Sequence, residues 1–164
     1  MKDQLIIAPY EGLGIFKFTD NVEAILSKCH NLTGKGIKSE LLNEIGTIYH
    51  SVYVEDYMLH IILYEDGNSV RYFEIFSDVH HMDINLHRER YSNIRQYYTE
   101  KDENIIINEI DESFDTPRYG FIVAPQTSSR SNSVLIYSKI YKQEPFITPD
   151  DIIQYCLGYN PLNE

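Results

Sequence analysis

The chain of 164 residues has no tryptophan, two cysteines and few cations. Each scarcity excludes something. Cys29 and Cys156 lie near opposite ends and no C-x-x-C pair occurs, so the spacing of a structural zinc knuckle is missing. Two isolated thiols read as buried and reduced rather than as a disulfide framework. No apolar run approaches the roughly 18 residues of a membrane span. The stretch Leu5-Ile6-Ile7-Ala8 is too short for the apolar region of a signal peptide, so a cytoplasmic location is expected. Fourteen Lys and Arg against twenty-five Asp and Glu leave a net charge of −11. Nucleic acid and anionic membranes are held by cationic surface, so neither is an expected partner, whereas a cationic partner is electrostatically permitted.

The motifs of catalysis are scarce as well. There is no G-x-S-x-G, and the serines crowd residues 127–133, a polar loop. Gly12-Leu13-Gly14 leads into the apolar Ile15-Phe16 rather than to a third glycine opening a helix. Gly34-Lys35-Gly36 has no Ser or Thr after its lysine. Both read as turns, not phosphate cradles. His80-His81-x-Asp83-x-x-x-His87 puts four potential ligands within eight residues, which a metal could use if the backbone turned them to one point. That spacing matches no ligand motif, and H-E-x-x-H is absent, so an exposed polar loop is the plainer reading. His50 and His60 sit on predicted strands. Cys29 sits on the core face of a predicted helix, where a thiol is inert. No catalytic residue, metal site or cofactor is therefore expected.

What remains is the pattern of one globular domain, residues 1–164, at 43% hydrophobic and 24% charged residues. A short strand over 5–8 ends at Pro9. Asp20 is placed to cap a helix with Glu23 reaching back, and Val22, Ile25, Leu26 and Cys29 repeat on one face over 20–30. A second helix is predicted over 39–45 from Leu41, Leu42 and Ile45. Residues 48–54 alternate as a strand. Residues 57–64 and 69–76 flank Glu65-Asp66-Gly67-Asn68, and Asp-Gly between apolar runs is a strong hairpin signal. Residues 77–101 show no clear period and read as one strand and an irregular crossing. A strand over 104–108 and an antiparallel pair over 119–124 and 134–141 follow. A closing helix starts at Thr148-Pro149. The fold class is α+β, a mainly antiparallel sheet with an N-terminal and a C-terminal helix packed on it.

Two features stand above this background. Over 100–115, seven acids oppose only Lys101, a net of −6 and more than half the chain's excess. The chain also holds fourteen tyrosines, with Tyr97 and Tyr98 next to the acidic run. Tyrosine supplies rigid amphipathic contact area, and is also simply a good strand residue. Glu100, Asp102, Glu103, Glu109, Asp111 and Glu112, with Tyr97 and Tyr98, are the candidate partner-binding residues: acids at the rim, tyrosines at the centre.

The lead-in over 9–18 to the Asp20 helix, the 57–76 hairpin, the 100–115 acidic run and the absence of catalytic groups together give a chain that resembles the immunity proteins of bacterial polymorphic-toxin and contact-dependent growth inhibition systems. The resemblance is one of character over the whole chain, without a diagnostic motif, so no functional residue is carried over from it. It implies a cytosolic inhibitor, not an enzyme, that binds one cognate protein toxin, a basic one such as a nuclease. Two other classes stay open: a small-ligand or regulatory module with a deep apolar pocket, and a metal-dependent enzyme using His80–His87.

Overall fold

The computed structural model describes residues 4–33, 35–126 and 130–142. Three two-residue strands, β1 (Ile7–Ala8), β2 (Gly12–Leu13) and β3 (Phe16–Lys17), form a small antiparallel sheet. Helix α1 (Val22–Leu32) follows, then four strands, β4 (Ile37–Glu44), β5 (Thr47–Val54), β6 (Leu59–Tyr64) and β7 (Val70–Ile75). A short hairpin, β8 (His80–His81) and β9 (Ile84–Asn85), leads to helix α2 (Tyr91–Lys101). Four more strands complete the order: β10 (Ile106–Asn108), β11 (Ser113–Thr116), β12 (Phe121–Pro125) and β13 (Asn132–Tyr137). A four-residue helix, α3 (Lys139–Lys142), ends the described part. The eight longer-range strands make one antiparallel sheet in the order β10-β11-β12-β13-β7-β6-β5-β4. Two four-stranded meanders thus meet at a central β7–β13 seam.

The register carries one apolar row across this sheet. Val52 lies beside Ile61, Ile61 beside Phe73, Phe73 beside Ile136, Ile136 beside Phe121, and Phe121 beside Thr116. All are buried, and all but Thr116 belong to a single hydrophobic core. Burial of a Val, Ile or Phe side chain is worth about 1.5–3 kcal/mol, so this row ties the two meanders together. Phe16 and Phe18 pack on Phe73 with ring centroids 6.2 and 5.2 Å away, which seats the small sheet on the same face. Helix α2 covers the other half, with Tyr98 against Phe121 at 5.2 Å.

Several sequence expectations stand. The 57–76 hairpin lies inside the large sheet, with Gly67 at φ +68° in its turn. That turn also positions α1: the Gly67 carbonyl accepts from Val22 N at 2.9 Å. Ile25 and Cys29 are buried, and Val22 and Leu26 pack against the core. The strands near 48–54 and 104–108 and the pair near 119–124 and 134–141 are present, except that the last strand ends at Tyr137 and residues 139–141 belong to α3. Others need correction. Asn21, not Asp20, caps α1, accepting from Ala24 N at 2.9 Å, while the Asp20 carboxylate accepts from Lys17 N and Lys28 Nζ. Residues 39–44 are strand rather than helix, and Ile45 opens the turn that follows. Ile45 and Gly46 both take positive φ, 51° and 77°, the conformation of a tight hairpin turn, and β4 pairs with β5 along its full length. The 77–101 region holds the whole of α2. The predicted helix from Thr148, like Cys156, lies outside the described residues. Among the described residues, no helix is long and apolar enough to cross a membrane.

Candidate functional site

The acidic run folds as the end of α2 and the β10–β11 hairpin at one edge of the sheet. The turn is built by Asn108. Its Oδ1 accepts from Ile110 N at 3.0 Å and Asp111 N at 3.3 Å, and its Nδ2 donates to the Asp111 carboxylate at 2.9 Å. An asparagine that bonds its own backbone two residues on is the mechanism of an Asx turn. Glu112 then takes φ +51° to return the chain into β11. The result projects Ile110 into solvent at 94% exposure between Glu109 and Asp111. On β10, Ile107 packs against the core while Ile106 points outward at 58% exposure. Arg95 of α2 holds the hairpin from beneath, its Nη2 2.8 Å from the Glu109 carboxylate. Tyr91, one turn earlier, meets the Phe114 ring at 5.8 Å. Burial raises the Tyr91 hydroxyl above the ordinary tyrosine range, with Glu109 and Glu112 adding to it against Arg95.

The predicted site residues divide. Glu100, Glu103, Glu109, Asp111 and Glu112 are exposed. Glu100, Glu103 and Glu112 have no ion-pair partner among the described residues. Glu100 and Glu103 also line a cavity of about 660 Å³ with Lys101, Asp102, Asn104, Pro117 and Arg118. Asp102 is a correction. It is 1% exposed and accepts from Thr116 Oγ1 at 2.7 Å, Asn104 N at 2.9 Å and Arg118 N at 3.0 Å. Burial by itself would raise its pKa, but these donors and the Arg118 charge outweigh it and hold the carboxyl below the usual range. Asp102 fastens the end of α2 to β11, its carboxylate taken up by these three bonds. Asp115 also turns inward, accepting from the Tyr137 hydroxyl at 2.7 Å.

Tyr98 is the second correction. It is fully buried, packed on Phe114 and Phe121, with its hydroxyl 2.6 Å from His81 Nδ1. It belongs to the core, because α2 buries only Ile94 and Tyr98 and needs both to seat its inner face. Tyr97 is half-buried with the Lys101 ammonium 5.6 Å from its ring centre. The exposed large apolar side chains of this edge are Ile110 and Ile106, while Tyr97 stays partly accessible. The sequence held one usable signal, since strand alternation over Ile105-Ile106-Ile107 requires one face to look outward.

The histidine segment does not assemble. His81 is buried among Tyr98, Tyr119 and Phe121, and desolvation pushes its pKa down to about 4. His87 Nδ1 is bonded to the Asn132 carbonyl at 2.7 Å. His80 and His87 line a separate cavity of about 430 Å³, and Asp83 is exposed. Among the described residues, no three His, Cys, Asp or Glu side chains converge as a metal would need. Burial raises the Cys29 thiol to about 11, which keeps it protonated. Gly12 lies in β2 opposite Lys17 of β3, and a Cβ there would meet the Phe16 carbonyl at 2.0 Å, so the close approach of these two strands requires glycine. Comparison with protein families, with curated proteins and with solved structures gives no match.

Proposed function

We propose that this chain is an immunity-type protein that binds and neutralises a cognate bacterial toxin domain, a basic one such as a nuclease, without catalysis of its own. The observation that carries the reading is Ile110, 94% exposed at the tip of the β10–β11 turn and set among Glu109, Asp111 and Glu112. An aliphatic side chain held out by an ordered turn gains about 1.5–3 kcal/mol when a partner buries it. Carboxylates around it avoid the desolvation cost of an interface centre and act at the rim, where they steer a cationic surface to encounter. Glu100 and Glu103, at the end of α2, extend the same field. Blocking an active site needs only shape, charge and an interface of about 1,200–2,000 Å².

The test uses a toxin domain encoded immediately beside this chain, with binding kinetics measured at two ionic strengths. Asp111→Ser with Glu112→Ser is expected to slow association several-fold and flatten its salt dependence, leaving dissociation nearly unchanged. Ile110→Ser is expected to speed dissociation about tenfold or more. No binding by the wild-type chain, or rates unmoved by all three substitutions, would remove this surface from the function.

A further inference from the structure

The chain has six arginines, and three of them, Arg88, Arg90 and Arg130, line one cavity of about 550 Å³ at the start of α2. Among the described residues, Tyr91, Pro125, Ser131 and Asn132 also line it, and no acid does. In a chain of net charge −11 such a concentration of cations runs against the general field. Arg88 is held by Asp78, Nε to carboxylate at 2.6 Å. Arg90 and Arg130 have no carboxylate partner among the described residues.

The wall behind them is rigid. Asn132 donates from Nδ2 to the carbonyls of Leu86 at 2.9 Å and Glu89 at 2.8 Å. Its backbone N–H donates to the His87 carbonyl, also at 2.9 Å. These bonds pin the segment carrying Arg88 and Arg90 to the start of β13. Arg90 stands at the N-cap of α2 and supplies no side-chain acceptor, so the first-turn N–H groups add positive potential at the same end. Glu89 offsets part of this, accepting from Arg90 N and Asn93 Nδ2, but lies outside the cavity lining.

We propose that this cavity binds an oxyanion of the phosphate class, with the Arg90 and Arg130 guanidinium groups as its principal ligands and Arg88, oriented by Asp78, completing the cationic wall. Guanidinium forks match phosphate oxygens two at a time, and the volume is that of a small-ligand site rather than of a single ion. A phosphorylated small molecule or inorganic pyrophosphate offers the required chemistry. The site lies at the opposite end of α2 from Glu100 and Glu103, and the inference does not rest on the toxin-binding reading.

Inorganic pyrophosphate is the probe, titrated into the full chain at low salt and followed by calorimetry and by backbone amide shifts. Saturable one-site binding is expected, with shifts at Tyr91, Ser92 and Asn132. Arg90→Ala and Arg130→Ala should each weaken it about tenfold, as loss of a charged hydrogen-bond pair does. Arg90→Lys, which keeps the charge and loses the fork, should weaken it less and serves as the control for folding. A nucleoside triphosphate in a second arm separates the sources: tighter binding than pyrophosphate assigns a nucleotide, equal binding assigns the phosphates alone. No saturation up to about 10 mM, or binding unchanged in the folded Arg90→Ala/Arg130→Ala variant, overturns the site.

Discussion

The two halves of the acidic stretch carry the same kind of side chain and put it to opposite uses. At the end of α2, Asp102 is enclosed and receives three donors from residues 104, 116 and 118. At the tip of the β10–β11 hairpin, Asp111 and Glu112 are exposed around an isoleucine. The difference is one of surroundings. A buried carboxylate surrounded by donors is a fastener whose loss leaves unpaired polar groups, while an exposed one mainly contributes field. Acidity in one segment therefore teaches little until each carboxylate's partners are known.

Substitution at the two halves breaks or sharpens that contrast. The largest expected effect is Asp102→Ala, which leaves the buried Thr116 hydroxyl and two partly buried backbone N–H groups, of Asn104 and Arg118, without their acceptor. It should cost about 3 kcal/mol or more in urea unfolding, whereas Glu103→Ala, one residue on, should stay within about 0.5 kcal/mol. Equal costs at the two positions would dissolve the distinction.

Acid should expose the same contrast. Asp102 has a depressed folded pKa, so its contribution is complete above the unfolded value and is lost as pH falls through the folded one. His81 acts earlier. Its folded pKa is about 4 against an ordinary 6.5, so the unfolded chain takes up the proton first. Stability should fall between about pH 6.5 and 4, by on the order of 3 kcal/mol from this residue. Unfolding midpoints at pH 7, 5.5 and 4.5 measure it. His81→Phe should lose that slope, and parallel curves for the two proteins would show that His81 is not its source.

How much of this was legible follows from where each partner lies in the sequence. The β5–β6–β7 meander could be read because its residues alternate and Asp66-Gly67 marks its turn. Helix α2 could not, since two buried residues, Ile94 and Tyr98, leave almost no apolar period and Arg90 gives no capping signal. Strand β4 carries a misleading pattern, since Leu41, Leu42 and Ile45 fall at helical spacing while the Ile45-Gly46 turn and the edge of β5 make the segment a strand. The charge of the site was plain from composition. Its division was hidden, because the Asp102 donors Thr116 and Arg118 N lie 14 and 16 residues away. The exposure of Ile110 depends on a turn conformation that only Asn108 hinted at.

At the hairpin tip itself the effects on stability should be small. Ile110→Ser removes a side chain that is already in water, so its unfolding free energy should stay within about 0.5 kcal/mol of wild type. A larger loss would mean that Ile110 packs against the fold and is not held out for a partner.

A similarly small effect belongs to the ion pair that supports the hairpin. Arg95 and Glu109 are 2.8 Å apart, but their side chains are 39% and 75% exposed, so water and salt screen most of the attraction. A double-mutant cycle with Arg95→Ala and Glu109→Ala should give a coupling of about 0.2–1 kcal/mol at low salt, fading toward zero at about 1 M. The pair is nonetheless placed to orient the turn, because Arg95 projects from a helix anchored by Ile94 and Tyr98 on either side of it. Glu109→Gln should then leave stability nearly unchanged while broadening the amide signals of residues 109–112. A coupling above about 2 kcal/mol that persists in high salt would instead make Glu109 a fastener like Asp102, and the contrast between the two halves would fail at that residue.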